Sequence, residues 1–133
     1  QEGIRAVRTG ATTGDIGAAV QRVVEDAGYS VVRDLAGHGV GYAVHEAPRV
    51  PGYGSTGAGE VLREGLVIAI EPMVIASTNH AVRVAPDGWT IVTEERALAA
   101  HEEHTVAVTK QGARILTLAS SEGATALPDP KTP

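Results

Sequence analysis

The stretch Gly37-His38-Gly39-Val40-Gly41-Tyr42-Ala43-Val44-His45-Glu46 decides how the rest of the chain is read. It sets two imidazoles seven residues apart in a segment that also carries three glycines. In an extended strand, residues an odd number apart point to opposite faces, so His38 and His45 reach one cavity only if the chain bends between them. Gly39 and Gly41 permit such a bend. Working outward, two carboxylates stand where carboxylates are not expected. Glu71 ends the apolar run Leu66-Val67-Ile68-Ala69-Ile70, and Glu103 lies inside His101-Glu102-Glu103-His104-Thr105. A buried carboxylate without a partner costs several kcal/mol, so such a residue asks for an opposite charge or a metal. Imidazoles and carboxylates gathered in this way point to a divalent cation.

The elements around this stretch follow from pattern. Thr12-x-x-Asp15 fits a capping box. Ile16, Ala19, Val20, Val23, Val24 and Ala27 then fall at helical spacing, with Arg22 and Glu25 on the other face and Gly28 placed to end the helix. This is a packing helix of about four turns, without chemistry of its own. Before it, residues 1–8 read as the end of something begun upstream, and Thr9-Gly10 closes it. Tyr29 to Val32 reads as a short strand leading into the glycine stretch. Residues 46–65, with Pro48, Pro51 and many glycines, read as a long loop, which within a compact domain is more often functional than incidental. Leu66 to Ile70 suits a central strand that Pro72 ends, leaving Glu71 facing the same side as Val67 and Ala69. Two hairpins follow, one around Pro86-Asp87-Gly88 and one around Lys110-Gln111-Gly112. The tail 119–133 holds three prolines among small and polar residues and reads as disordered. The fold class is α+β, one amphipathic helix packed on a mainly antiparallel curved sheet.

Composition narrows the function. At 133 residues, 43% hydrophobic and 20% charged, the chain is ordinary for one globular domain. A net charge of -5, no basic cluster and 3% aromatics argue against a nucleic-acid partner, and no apolar run is long enough to span or target a membrane. The absence of cysteine leaves histidine and carboxylates as metal donors.

Three segments, in order, resemble the C-terminal part of type I methionine aminopeptidases: Gly37-His38-Gly39-Val40-Gly41 with His45-Glu46-Ala47-Pro48, then Ile70-Glu71-Pro72-Met73-Val74, then Glu103-His104-Thr105-Val106. With the lead-in helix and Asp87-Gly88-Trp89-Thr90, the likeness covers residues 1–118, which reads as the C-terminal part of the catalytic domain. The resemblance implies half of a pita-bread fold. It implies that His38, Glu71 and Glu103 ligate two divalent ions of Co, Mn, Fe, Ni or Zn, about 3.5–4 Å apart and bridged by a hydroxide formed at neutral pH. It implies removal of the N-terminal methionine from nascent polypeptides, a cytoplasmic step of protein maturation. Glu71 then doubles as general base and acid. His45 contacts the substrate, and Val44, Trp89 and His101 correspond to walls of the methionine pocket. His104 reads as an outer residue orienting Glu103 or a neighbouring loop. His80 reads as exposed.

Departures from the pattern bear on substrate detail. Val44 stands where a bulkier residue is common, and Glu102 replaces an aromatic. The larger departure is the first half of the fold, which in the family supplies two aspartate ligands and a further histidine. Asp15, Asp26 and Asp34 do not sit in a strand pattern of that kind. The reading is therefore of a fragment, inactive alone, with at most weak single-metal binding, whose partners are a peptide N-terminus and the missing N-terminal half. Two alternatives stand beside it: a non-catalytic half-fold binding module, and a prolidase-like Xaa-Pro peptidase. Met73 after Glu71-Pro72, and His104-Thr105 after Glu103, match the methionine type.

Overall fold

The structure is a computed structural model and describes residues 1–118. The expected disorder of residues 119–133 lies outside the described residues. Helix α1 (Glu2–Arg5) is a single turn, and it carries Ile4 toward the core, with Val7 following it. Helix α2 (Thr13–Asp26) begins as the sequence dictates. The Asp15 amide donates to Thr12 Oγ1 at 3.2 Å, and the Thr12 amide donates to Asp15 Oδ2 at 2.7 Å. Gly28, at φ +80°, takes the left-handed turn that stops the helix.

Among the described residues ten strands follow: β1 (Ser30–Val31), β2 (Gly37–Gly39), β3 (Glu46–Val50), β4 (Val67–Ile70), β5 (Met73–Ile75), β6 (Val82–Val84), β7 (Ile91–Thr93), β8 (Ala99–His101), β9 (His104–Thr109) and β10 (Gly112–Ile115). They form an antiparallel sheet in the order β10-β9-β4-β2-β3, a smaller sheet β1-β5-β8 and the ribbon β6-β7. The run Leu66 to Ile70 does become the central strand. Ile68 and Ile70 turn into a core shared with Ile4, Val7, Ile16, Val50, Leu62, Val106, Val108 and Ile115. Each such side chain contributes about 1.5–3 kcal/mol on leaving water, before chain entropy is set against it. Both expected hairpins are present, as β6-β7 and β9-β10.

One expectation is corrected. Residues 46–50 are not loop but strand β3, paired with β2 through Gly37↔Val50 and His38↔Arg49. Pro48 is tolerated because β3 is an edge strand, and the register shifts between His38 and Gly39. Strand β4 ends at Ile70, ahead of Pro72 as expected, and the chain then passes from the larger sheet into β5 of the smaller one. The loop that remains, 51–65, is fixed rather than free. It supplies carbonyls to the open N-terminus of α2, Glu60 to the Thr13 amide and Ala58 to the Gly14 amide, both at 2.9 Å. Among the described residues no helix is long and apolar enough to cross a membrane.

Candidate active site

The ladder explains how distant residues meet. Ile70 pairs with His104 in the β4-β9 register, so one antiparallel step further sets Glu71 beside Glu103. On the other flank Gly39 pairs with Ile68, which sets His38 across from Ala69, on the face that Glu71 continues. Three neighbouring strands thus present His38, Glu71 and Glu103 at one place. A donor atom from each lies within 4.8 Å of the other two. The side chains of His38 and Glu71 are mostly shielded, at 14% and 15% exposure, whereas Glu103 opens to solvent.

The hydrogen-bond partners of the His38 ring bear on what this cluster accepts. His38 Nδ1 lies 2.9 Å from the Gly39 carbonyl, which accepts only if that nitrogen carries the proton. With Nδ1 so engaged, Nε2 faces Glu71 Oε1, 3.3 Å away. A nitrogen and a carboxylate oxygen at that distance share a proton or a cation. The donor chemistry, one imidazole and two carboxylates with the second ring nitrogen anchored on a backbone carbonyl, fits a borderline divalent ion.

His45 returns to the cluster by a turn over residues 40–45, in which the Ala43 amide donates to Glu46 Oε1 at 2.7 Å. Its ring centroid lies 4.2 Å from that of His38. On the other side of Glu71, His101 Nε2 is 3.2 Å from Oε2. Two hollows adjoin. One, of about 360 Å³, is lined by His38, Val44, Glu103 and Thr105 among others. The other, of about 520 Å³, is mainly apolar, walled by Val32, Leu35, Met73, Ile91, Val92, Ala99, Ala100 and His101. Glu71 and His45 line both, so they form the partition between the ionic cluster and the apolar cavity.

The sequence-predicted residues are thus gathered unequally. His38, Glu71, Glu103, His45 and His101 come together. Val44 is exposed and faces the ionic side rather than the apolar cavity. Trp89 is 86% exposed in the β6-β7 turn and lines neither hollow; Ile91 and Val92 take the wall instead. His104 Nδ1 meets Thr117 Oγ1 at 3.0 Å, tying β9 to the segment after β10. His80 is half-buried and away from the cluster. The walls Val32, Leu35, Ala36, Ala99 and Ala100 were not singled out from the sequence, because the short strands β1 and β8 that carry or adjoin them show too few alternations to register. Three carboxyls away from the cluster are held below their ordinary range. Asp15 is held there chiefly by the Thr12 amide, Asp87 by the Thr90 hydroxyl and Glu95 by the Asn79 side chain.

Residues 1–110 match the profile of metallopeptidase family M24. The chain is 51% identical to methionine aminopeptidase A of Synechocystis sp. over 116 residues, which is 87% of this chain and 46% of that protein. The crystal structure of methionine aminopeptidase from Rickettsia prowazekii superposes with a TM-score of 0.85 at 46% identity, covering 88% of this chain and 47% of that one. The prolidase of Pyrococcus horikoshii gives 0.61 at 29% identity, covering 87% and 27%. The chain spans about half the length of the curated relatives it matches.

Proposed function

The chain belongs to metallopeptidase family M24, and from that membership we propose that it carries the C-terminal half of the active site of a methionine aminopeptidase, one that removes the N-terminal methionine from new polypeptides in the cytoplasm. The observation that carries the reading is the partition. A cation-fitting cluster of His38, Glu71 and Glu103 opens, through Glu71 and His45, onto an apolar cavity of about 520 Å³. That volume lies within the range of roughly 300–1,000 Å³ usual for small-molecule sites. His38, Glu71 and Glu103 would hold divalent metal, of which Mn, Fe, Co, Ni and Zn suit the donors. A bound ion supplies Lewis-acid polarisation and an activated water at neutral pH. The chain's own residues do the rest. Met73, Val32, Leu35 and Ile91 receive an unbranched apolar side chain. His45, on the partition, donates to the scissile carbonyl and fixes its direction. Glu71 accepts the proton of the attacking water on a carboxylate oxygen and delivers it to the departing amine.

Three donors do not fill the coordination of two ions, so the activity is proposed for this half joined to a second one that supplies the remaining ligands. The test is to join the chain to the N-terminal half of the Synechocystis relative and measure release of methionine from a Met-Ala peptide. Activity is expected to need added divalent metal, and Glu71→Gln is expected to lower kcat by at least about 100-fold, in keeping with the loss of a general base. Failure of a correctly folded, metal-supplied joined protein to cleave such peptides would overturn the reading. The greater likeness to methionine aminopeptidases than to the prolidase favours this substrate over an Xaa-Pro peptide.

A further inference from the structure

Glu71 is contacted from both sides. Its Oε1 lies 3.3 Å from His38 Nε2, and its Oε2 lies 3.2 Å from His101 Nε2. The second contact connects different sheets. Glu71 continues β4 of the larger sheet, whereas His101 ends β8 of the smaller one, where it pairs with Met73, two residues beyond Glu71. A glutamate side chain at a strand end has three soft torsions, and the His38 contact fixes only one oxygen. The other oxygen would be free to rotate toward solvent or into the apolar cavity. There an unpaired carboxylate oxygen is costly.

We propose that His101 is a positioning residue for the metal centre: its Nε2–H donates to Glu71 Oε2 and so holds Oε1 aimed at the ion-binding cluster. His101 would not touch the ion, and its contribution would pass through Glu71 alone. The inference rests on the metal-centre reading above and adds to it the residue that pre-orients one ligand. Partners of this kind typically change metal affinity by about 10–100-fold when removed. His101 is itself half exposed, with 45% of its side chain accessible, which places the expected effect at the lower end of that range.

The experiment uses the 133-residue chain and Co²⁺, followed by visible absorption and calorimetry. In His101→Leu the dissociation constant for Co²⁺ is expected to rise about tenfold. In His101→Gln, whose amide can still donate to Oε2, it should stay within about threefold of the parent, a shift that would leave most of the donor bond in place. In a Glu71→Gln background the His101→Leu change should cost nothing further. Thermal unfolding of each variant separates a folding defect from a binding one. Equal affinity in His101→Leu and the parent would overturn the proposal. So would a His101→Gln variant as weak as His101→Leu, or an undiminished His101→Leu effect when Glu71 is already glutamine. If the parent chain takes up no Co²⁺, the same series is run on the protein joined to the second half that supplies the remaining ligands; no uptake there overturns the metal-centre reading and the inference with it. If the parent binds and the variants match it, only the positioning role fails.

Discussion

Gly39 lies where strand β2 presses closest on its neighbour β3. The sequence assigns Gly39 and Gly41 to a bend that lets His38 and His45 converge, and the two rings do approach to 4.2 Å. Yet neither glycine has a positive φ. What requires glycine at 39 is proximity, since a Cβ there would stand 2.1 Å from the Ala47 carbonyl of the neighbouring strand β3. Gly37 is under the same constraint from the Ala69 carbonyl, at 2.2 Å. The bend itself is made by the turn at 40–45 and the shift of register beside His38. Gly39→Ala is therefore expected to lower stability by about 1–3 kcal/mol, the usual cost of overpacking, and to displace His38. Urea denaturation of the variant checks the first effect and Co²⁺ uptake the second. The candidate ligands were legible because a carboxylate closing an apolar strand is chemically conspicuous. The His101 contact to Glu71 was not, because it depends on pairing between β5 and β8 that two very short strands do not advertise.

Among the elements, helix α2 is the part most completely written in the sequence. Its capping box, apolar stripe and terminal glycine all fall where pattern places them. What pattern could not give is how closely the 51–65 segment lies on it: a Cβ on Gly17 would meet the Tyr53 carbonyl at 2.2 Å, and the Gly57 amide donates to Asp15 Oδ1 at 3.0 Å. Asp15 thus serves the helix start and the loop at once. Its carboxyl is held below the ordinary range, chiefly by the Thr12 amide. A carboxyl with a depressed folded pKa adds stability above its unfolded value of about 3.9, and that increment is lost as pH falls toward the folded value. Asp15→Asn should remove this part of the acid sensitivity, so the difference in unfolding midpoint between parent and variant narrows from pH 6 to pH 3. Thr12→Ala should cost about 1 kcal/mol at neutral pH, measured by thermal or urea unfolding. Strand β3 escaped the sequence reading because prolines argue against strands in general, whereas at an edge the missing amide proton has no partner to lose.

At the scale of the whole molecule, the fold expected from sequence agrees with the solved methionine aminopeptidases over most of this chain. Tyr42 and Val44, beside the ionic cluster, are left in solvent, and so, elsewhere on the surface, are Trp89 and Leu98. Trp89 is the single tryptophan of the sequence, which makes it a reporter. The isolated chain is expected to fluoresce with the red-shifted maximum of a hydrated indole. Joining the second half should shift the emission to the blue if Trp89 then takes the wall position that the resemblance implies. No shift in a joined protein that cleaves peptides would show that Ile91 and Val92 suffice for that wall.

The partition at Glu71 and His45 has an evolutionary corollary. If the proposed function holds, reactivity is carried by β2, β4 and the approach to β9, and the shape admitted by β5, β7 and β8, with two side chains common to both. Substitutions at Ile91 or Ala99 would then retune which terminal side chain is accepted while leaving the ionic cluster intact, so selectivity would be free to drift along a lineage whose chemistry stays fixed.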